Sequence, residues 1–311
     1  MAAETWFIER LQSIATARAA RGLLDDVAVL EFGGTKLVLT HDALVEGVHF
    51  LADDPPESVA WKLLAVNLSD LAAKGARPVG ALMGYTLRGD DAWDAAFADG
   101  LAAALAHFEV PLLGGDTVSG AERHLSMTLI GEATGLVPSR SGAQAGDVDY
   151  VSGPVGDAGA GLRVRQDLLP ESTALTEAYL RPQPQLALGQ VLAERVTAMM
   201  DVSDGLLIDA QRMTAASGVR IEVDLDAVPL SAALIDALGD SAETRIDAVT
   251  AGDDYVLLFT ANLPLPPLPA PFAVYRVGRV TRGEGVGLVS GGAEVALPER
   301  LGWEHEESGS R

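Results

Sequence analysis

The chain has 311 residues, of which 48% are hydrophobic and 21% charged, a composition typical of a folded protein with room for two domains. Its 44 acidic and 22 basic side chains give a net charge of −22, a field that repels nucleic acid and anionic lipid. The absence of cysteine excludes disulfides, thiolate nucleophiles and cysteine-ligated metals. We see no signal-peptide core and no uninterrupted apolar run of membrane-spanning length, so we expect a cytoplasmic protein without a membrane partner.

The first half of the chain alternates predicted helices and strands. In order, we predict a helix over Glu4–Arg21, strands over Val27–Phe32 and Lys36–His41 around a Gly33-Gly34 hairpin turn, a helix over Ser58–Lys74, a strand over Val79–Leu87, a helix over Ala92–His107 and a strand over His124–Glu132. Apolar residues recur at helical spacing after Ser58, whose hydroxyl is a candidate N-cap. These patterns predict a mixed α+β domain.

A turn-rich stretch, Val137–Asp147, separates this half from the next. Beyond it we predict a strand from Tyr150, a glycine-rich link over Gly153–Gly161, helices over Pro184–Glu194 and Gly205–Ala216, strands over Val219–Val223, Tyr255–Thr260 and Phe272–Val280, a proline-rich loop over Pro264–Pro271 and a polar tail over Glu304–Arg311. We therefore predict two α+β domains, residues 1–140 and 141–311.

Aspartates recur beside small residues at the predicted ends of apolar strands. They are Asp25-Asp26 before VAVL, Asp42 after KLVLTH, Asp70 in VNLSD, Asp116 in LLGGD, Asp201 and Asp204 in MMDVSDG, and Asp253-Asp254 in AGDDY. Magnesium prefers oxygen ligands, and carboxylates converging from separate strand ends would supply them. Any one of these aspartates can equally be a solvated loop acid, so the hypothesis of a metal site depends on the whole set.

The segment MMDVSDG holds two of these aspartates immediately before a predicted helix. Ser203 and the free amides at Gly205 could face a phosphate, and Asp204 could equally cap the helix. Other phosphate-binding motifs are absent: there is no P-loop, no protein-kinase set, and the glycines of Gly153–Gly161 match a dinucleotide loop only loosely. Because the chain is so acidic, a bound nucleotide would require divalent cations.

The segments DDVAVL, HDALVEGVHF, AVNLSDLAAKGARP, LLGGDT, DVSDGL, GDDYVLLF and a terminal GW occur in this order. With them the chain resembles thiamine-monophosphate kinases, a family in one superfamily with aminoimidazole-ribonucleotide synthetase and selenophosphate synthetase. The likeness spans nearly the whole chain and is most specific from Asp42 to Phe50. It implies direct transfer of the ATP γ-phosphoryl group to thiamine monophosphate through several Mg²⁺ ions. It also implies an N-terminal mixed sheet that pairs across a homodimer, and a sandwich-like α+β C-terminal domain.

The same resemblance implies roles for individual residues. Metal contacts would fall on Asp26, Thr40, His41, Asp42, Asp70, Asp116, Asp201 and Asp204. ATP contacts would fall on Gly115, Asp116, Arg140 and Ser203, and thiamine-phosphate contacts on His49, Asp253 and Trp303. Among these, Asp42, Asp116 and Asp204 are expected to be catalytic.

Three positions depart from the family pattern. Leu24 replaces a glycine before the first aspartate pair, His41 replaces a small hydroxyl residue, and Asp253 replaces a glutamate. The last change keeps the charge but shortens its reach. Alternative functions are an ATP-dependent kinase or synthetase acting on another small phosphorylated substrate, a metal-dependent phosphohydrolase, and a nucleotide-binding module without turnover.

Overall fold

The structure is a computed structural model that describes residues 3–262, 265 and 268–304. The predicted tail beyond residue 304, and residues 264, 266 and 267 of the predicted proline-rich loop, lie outside the described residues. Within the described part of the chain, no helix is long and apolar enough to cross a membrane.

Five strands in the first half form a mixed sheet with the order β1-β2-β5-β3-β4. They are β1 (Ala28–Phe32), β2 (Thr35–Val45), β3 (Arg77–Leu87), β4 (Leu112–Ser119) and β5 (His124–Ala133). All neighbours are antiparallel except β3 and β4. The predicted strands are confirmed, but β2 continues past the expected end at His41. Strand β4 was not predicted because its LLGGDTVS sequence has two glycines and lacks the alternation of a half-buried strand.

Three helices accompany this sheet: α1 (Ala3–Gln12), α2 (Pro56–Ala73) and α3 (Asp91–His107). The prediction of one helix from Glu4 to Arg21 is wrong beyond Gln12, where a separate 3₁₀ segment, Arg18–Leu23, follows. Arg21 and Gly22 have left-handed backbones that an α-helix does not tolerate. The capping role predicted for Ser58 is also wrong, because α2 begins at Pro56, a residue favoured in the first turn, and Ser58 is buried inside the helix.

The second half contains a seven-stranded mixed sheet with the order β12-β11-β8-β10-β6-β9-β7. The strands are β6 (Val148–Val151), β7 (Ala198–Asp201), β8 (Arg220–Asp224), β9 (Leu257–Ala261), β10 (Tyr275–Thr281), β11 (Gly285–Ser290) and β12 (Ala293–Val295). The helices are α4 (Asp157–Arg165), α5 (Thr173–Leu180), α6 (Leu186–Leu192), α7 (Leu206–Ser217), α8 (Ala232–Leu238) and α9 (Ala242–Thr250). The two-domain α+β prediction is confirmed, whereas β7, β11, β12, α5, α8 and α9 were not predicted. Most of them are short, and β11, with the sequence GVGLVS, carries two glycines that weaken a strand pattern.

Helix α2 lies between the two sheets. Its leucines pack with Met127 and Leu129 of β5, while Ala72 and Ala73 belong to a second cluster with Tyr150 of β6. At Gly189 of α6 an added Cβ would lie 1.9 Å from the carbonyl oxygen of Ala72, so only glycine permits this approach. The packing fixes α2 against β7, and it places the polar residues of α2 between the domains.

Candidate functional site

Three carboxylates from distant parts of the chain converge beside α2. Asp26 precedes β1, Asp70 lies in the C-terminal half of α2, and Asp201 ends β7. One oxygen from each lies within 4.8 Å of the others, and they form a group with the ligand type and spacing to hold a metal ion. The expectation that Asp70 ends a strand is wrong, since it is presented by a helix. We call these three residues the acidic cluster.

Neighbouring polar side chains hold the acidic cluster in position. Thr40 donates a hydrogen bond to Asp70, and Ser69 donates one to Asp201 over 2.5 Å. The backbone N–H of Asp42 donates to Asn67 Oδ1 over 3.1 Å, which ties β2 to α2. Strand alternation places Asp42 on the same face as Thr40, towards the cluster.

Burial and mutual repulsion raise the pKa of these carboxyls. Burial, followed by the negative charges of Asp201 and Asp26, raises the pKa of Asp42 to about 7. Burial and the charge of Asp42 raise the pKa of Asp70 well above its ordinary value. The pKa of Asp201 rises to about 6, chiefly by burial and then by the charge of Asp26. A cation in this position would offset this repulsion.

Two cationic side chains offset part of the charge. Lys74 is fully buried, and its Nζ lies 2.6 Å from Asp25 Oδ1, 3.8 Å from Asp26 Oδ2 and 3.3 Å from the carbonyl oxygen of Met199. Arg140 pairs with the other oxygen of Asp26. Asp26 Oδ2 is nevertheless buried without a hydrogen-bond partner, so a ligand atom for a hard cation is available.

The loop between β7 and α7 lies next to the cluster. Asp209 of α7 accepts hydrogen bonds from the backbone N–H groups of Ser203 and Asp204, over 3.0 and 3.1 Å. Arg212 forms ion pairs with both Asp204 and Asp209. Asp204 contributes to the raised pKa of Asp42, so its charge acts on the cluster. The predicted residues Ser203 and Asp204 are therefore at the site, held there by an aspartate that the motif did not indicate.

The three residues predicted to contact thiamine phosphate form a second group. The rings of His49 and Trp303 are 5.9 Å apart, and the backbone N–H of Trp303 donates to the carbonyl oxygen of Asp204 over 2.9 Å. The backbone N–H of Asp253 donates to the carbonyl oxygen of Ser203 over 2.7 Å. Lys62 of α2 bonds both Asp253 and the His49 carbonyl. We call His49, Asp253 and Trp303 the acceptor group.

Three of the predicted site residues, His41, Gly115 and Asp116, lie away from the acidic cluster when a single chain is considered. His41 is exposed, and its imidazole contacts Thr128 on the sheet face opposite Asp42. Gly115 and Asp116 are exposed on the edge strand β4, which is separated from β2 by two strands. Three strand spacings correspond to about 14 Å, so this chain alone does not bring Asp116 to the acidic cluster.

Several residues of the site are not among those predicted from the sequence. They are Lys62, Asn67, Ser69, Lys74 and Asp209. All five side chains are buried, and four lie on or directly after α2. Polar residues within so apolar a helix were the available signal, because buried polar groups require partners.

Comparison with known proteins agrees with this geometry. Residues 24–137 match the AIR synthase related protein N-terminal domain, and residues 144–264 match the corresponding C-terminal domain. The chain is 40% identical over 301 residues to a thiamine-monophosphate kinase of Caulobacter vibrioides, covering 92% of this chain and 85% of the relative. The Salmonella typhimurium thiamine-monophosphate kinase is 38% identical, with 91% of each chain covered.

The fold agrees with solved structures as well. A structure of AaThiL complexed with AMPPCP and TMP superposes with a TM-score of 0.86 at 33% identity, covering 96% of each chain. Thiamine monophosphate kinase from Aquifex aeolicus gives a TM-score of 0.80 at 32% identity, covering 93% of this chain and 96% of the other. The resemblance seen in the sequence is confirmed: the chain belongs to the thiamine-monophosphate kinase family.

Proposed function

We propose that the chain phosphorylates thiamine monophosphate to thiamine diphosphate with ATP, by direct in-line transfer at the acidic cluster. The observation that carries this proposal is the placement of the acidic cluster beside the acceptor group, joined through the Ser203–Asp204 loop. This placement supports a site where two phosphates meet at carboxylates. The family membership supports the identity of both substrates.

We propose that several Mg²⁺ ions bind at and around the acidic cluster, a proposal supported by its hard oxygen donors and by the unpartnered Asp26 Oδ2. We propose Asp26, Asp42, Asp70, Asp201 and Asp204 as side-chain ligands, with Thr40 and the His41 backbone beside them. Bound there, Mg²⁺ would neutralise the phosphates of both substrates and the charge on the transferring group.

The remaining roles fall to this chain's own residues. We propose that Arg140 and Ser203 bind the ATP phosphates, since a guanidinium can pair two phosphate oxygens. The acceptor group would orient thiamine monophosphate, with the indole of Trp303 against a flat ring. No general base is required, because the attacking phosphate oxygen is already ionised near neutral pH. The first domain, residues 1–140, would supply the metal ligands Asp26, Asp42 and Asp70. The second domain, residues 141–311, would supply Asp201 and Asp204 and complete the nucleotide and substrate sites.

We propose a homodimer formed through the N-terminal sheets. Leu82, 40% exposed, and Phe32, 74% exposed, lie on the face of this sheet that bears His41, and all of β4 is exposed at its edge. An exposed apolar face beside an unpaired strand edge favours association. Gly115 and Asp116 would then lie at the subunit interface, and their predicted roles, nucleotide binding for both and metal binding and catalysis for Asp116, would be exercised there.

The test mixes protein, ATP, Mg²⁺ and thiamine monophosphate and measures ADP and thiamine diphosphate. We expect both products in equal amounts, and none from the Asp204→Ala variant, whose folding is checked by circular dichroism. Release of inorganic phosphate without thiamine diphosphate would instead indicate a phosphohydrolase. Nucleotide binding without ADP would indicate a module that does not turn over.

A further inference from the structure

Lys62 is a cation buried where the two domains meet. Its side chain is 3% exposed, and its Nζ lies 2.7 Å from Asp253 Oδ2 and 3.2 Å from the His49 carbonyl oxygen. The same Nζ lies 4.2 Å from the centroid of the Tyr179 ring. An ammonium group has three hydrogens to satisfy, and these three contacts account for them. A buried charge with a full set of partners has one defined position.

The partners of Lys62 are themselves held. The hydroxyl of Tyr179 donates to Asp54 Oδ2 over 2.9 Å, and Arg165 Nε donates to Asp54 Oδ1 over 3.1 Å. The carboxylate of Asp54 is buried and also accepts the backbone N–H of Leu51 over 2.8 Å. The position of Lys62 is therefore set by α4 and α5 of the second domain and by the segment that precedes α2.

Asp253 has a left-handed backbone, and both oxygens of its carboxylate accept hydrogen bonds from neighbouring side chains. Its φ is 69°, in the left-handed region, and Tyr255 donates a hydrogen bond to its Oδ1 over 2.9 Å. Lys62 donates to Oδ2 of Asp253, yet the Asp253 side chain remains 32% exposed, so a ligand can reach it. Lys62 thus joins two members of the acceptor group, Asp253 from the second domain and His49 from the first.

We propose that Lys62 is a positioning residue for the phosphate acceptor, which orients the Asp253 carboxylate and the His49 loop towards thiamine monophosphate. This inference rests on the proposed function and adds to it a residue outside the metal and nucleotide sites. An aspartate reaches less far than a glutamate, so its carboxylate must be fixed in direction to contact a ligand. Without Lys62, the partly exposed Asp253 carboxylate would keep only the hydrogen bond from Tyr255, its direction would no longer be fixed, and the acceptor group would lose its geometry.

The test compares Lys62→Met, Lys62→Arg and the control Lys36→Met. Lys36 contacts the Gly135 carbonyl, away from the site. We expect Lys62→Met to raise KM for thiamine monophosphate roughly tenfold or more, while KM for ATP stays within about twofold. Lys62→Arg should recover part of the loss, and Lys36→Met should behave as the wild type. Equal effects on both KM values, or none, would overturn the proposal.

A double-mutant cycle separates positioning from general loss of structure. If Lys62 acts chiefly through Asp253, with which it forms its ion pair, then Lys62→Met should add less than about twofold to the defect of Asp253→Asn. A full additive loss in the double variant would contradict the inference. Failure of the proposed function is seen separately, as a wild type that makes no thiamine diphosphate. In that case, the affinity for thiamine monophosphate is measured by calorimetry in the presence of AMPPCP and Mg²⁺. Equal affinities of wild type and Lys62→Met would overturn the inference.

Discussion

Asp149 on β6 carries a carboxyl group that is fully buried and whose two oxygens have no hydrogen-bond partner. Burial raises its pKa to about 8. A carboxyl that stays protonated in the folded state while its unfolded counterpart ionises near pH 4 makes unfolding more favourable as pH rises. The stability lost through Asp149 should therefore accumulate between about pH 4 and pH 8.

We predict that Asp149→Asn removes this part of the pH dependence, because the amide cannot ionise. The difference in Tm between variant and wild type should grow in favour of the variant from pH 5 to pH 8, as measured by thermal unfolding. The exposed Asp236→Asn serves as the matched control and should show no such trend. A difference that is constant over this range would contradict the prediction.

At Asp42, also a single residue, the requirements of stability and of activity conflict. Its pKa of about 7 arises from burial and from Asp201 and Asp26, so the site without metal is destabilised by like charges. We predict that Asp42→Asn raises Tm in EDTA, reduces the additional stabilisation by Mg²⁺, and lowers turnover by roughly 100-fold or more. Thermal unfolding with EDTA and with Mg²⁺ measures the first two effects. A lower Tm in EDTA would show that Asp42 is structural instead.

At the scale of elements, α2 determines the geometry of the site. It carries Lys62, Asn67, Ser69 and Asp70 on a helix that is buried almost throughout, and its end is packed against α6. The close approach at Gly189 sets the distance between these helices. Any displacement of α2 would move ligands and positioning residues together.

We predict that Gly189→Ala lowers the free energy of unfolding by roughly 1–3 kcal/mol, because the new methyl overlaps the Ala72 carbonyl and forces α6 away. Urea denaturation measures the change. Gln190→Ala, on the exposed side of the same helix, should be close to neutral. Unchanged stability in Gly189→Ala would mean that the two helices can separate without loss.

At the scale of the whole molecule, the proposed dimer would cover the apolar face of the N-terminal sheet. We predict that Leu82→Asp gives a monomer at micromolar concentration, because a carboxylate would be buried without a partner at the interface. Light scattering after size exclusion measures the mass. Leu168→Asp adds the same charge at an exposed position in the second domain and should leave a dimer. A monomeric wild type, or a dimeric Leu82→Asp, would contradict the prediction.

The sequence by itself determined the two α+β halves, the long helices and most strands of the first domain, and the family. Long periodic segments and short acidic motifs are local properties, so they can be read without knowing what they contact. This is also why Asp26, Asp70, Asp201 and Asp204 could be named as candidates before their separation was known. The short elements β7, α8 and α9 escaped because few residues carry their pattern.

Tertiary structure alone decided which candidates meet. Strand register sends His41 to the opposite face from Asp42, and sheet order leaves Asp116 on a distant edge. Tertiary packing buries Lys62 and Lys74 and gives each a carboxylate partner far away in the chain: Asp253 across the domain boundary for Lys62, and Asp25 within the first domain for Lys74. Contacts of this kind depend on how whole elements pack, so no local pattern of residues contains them.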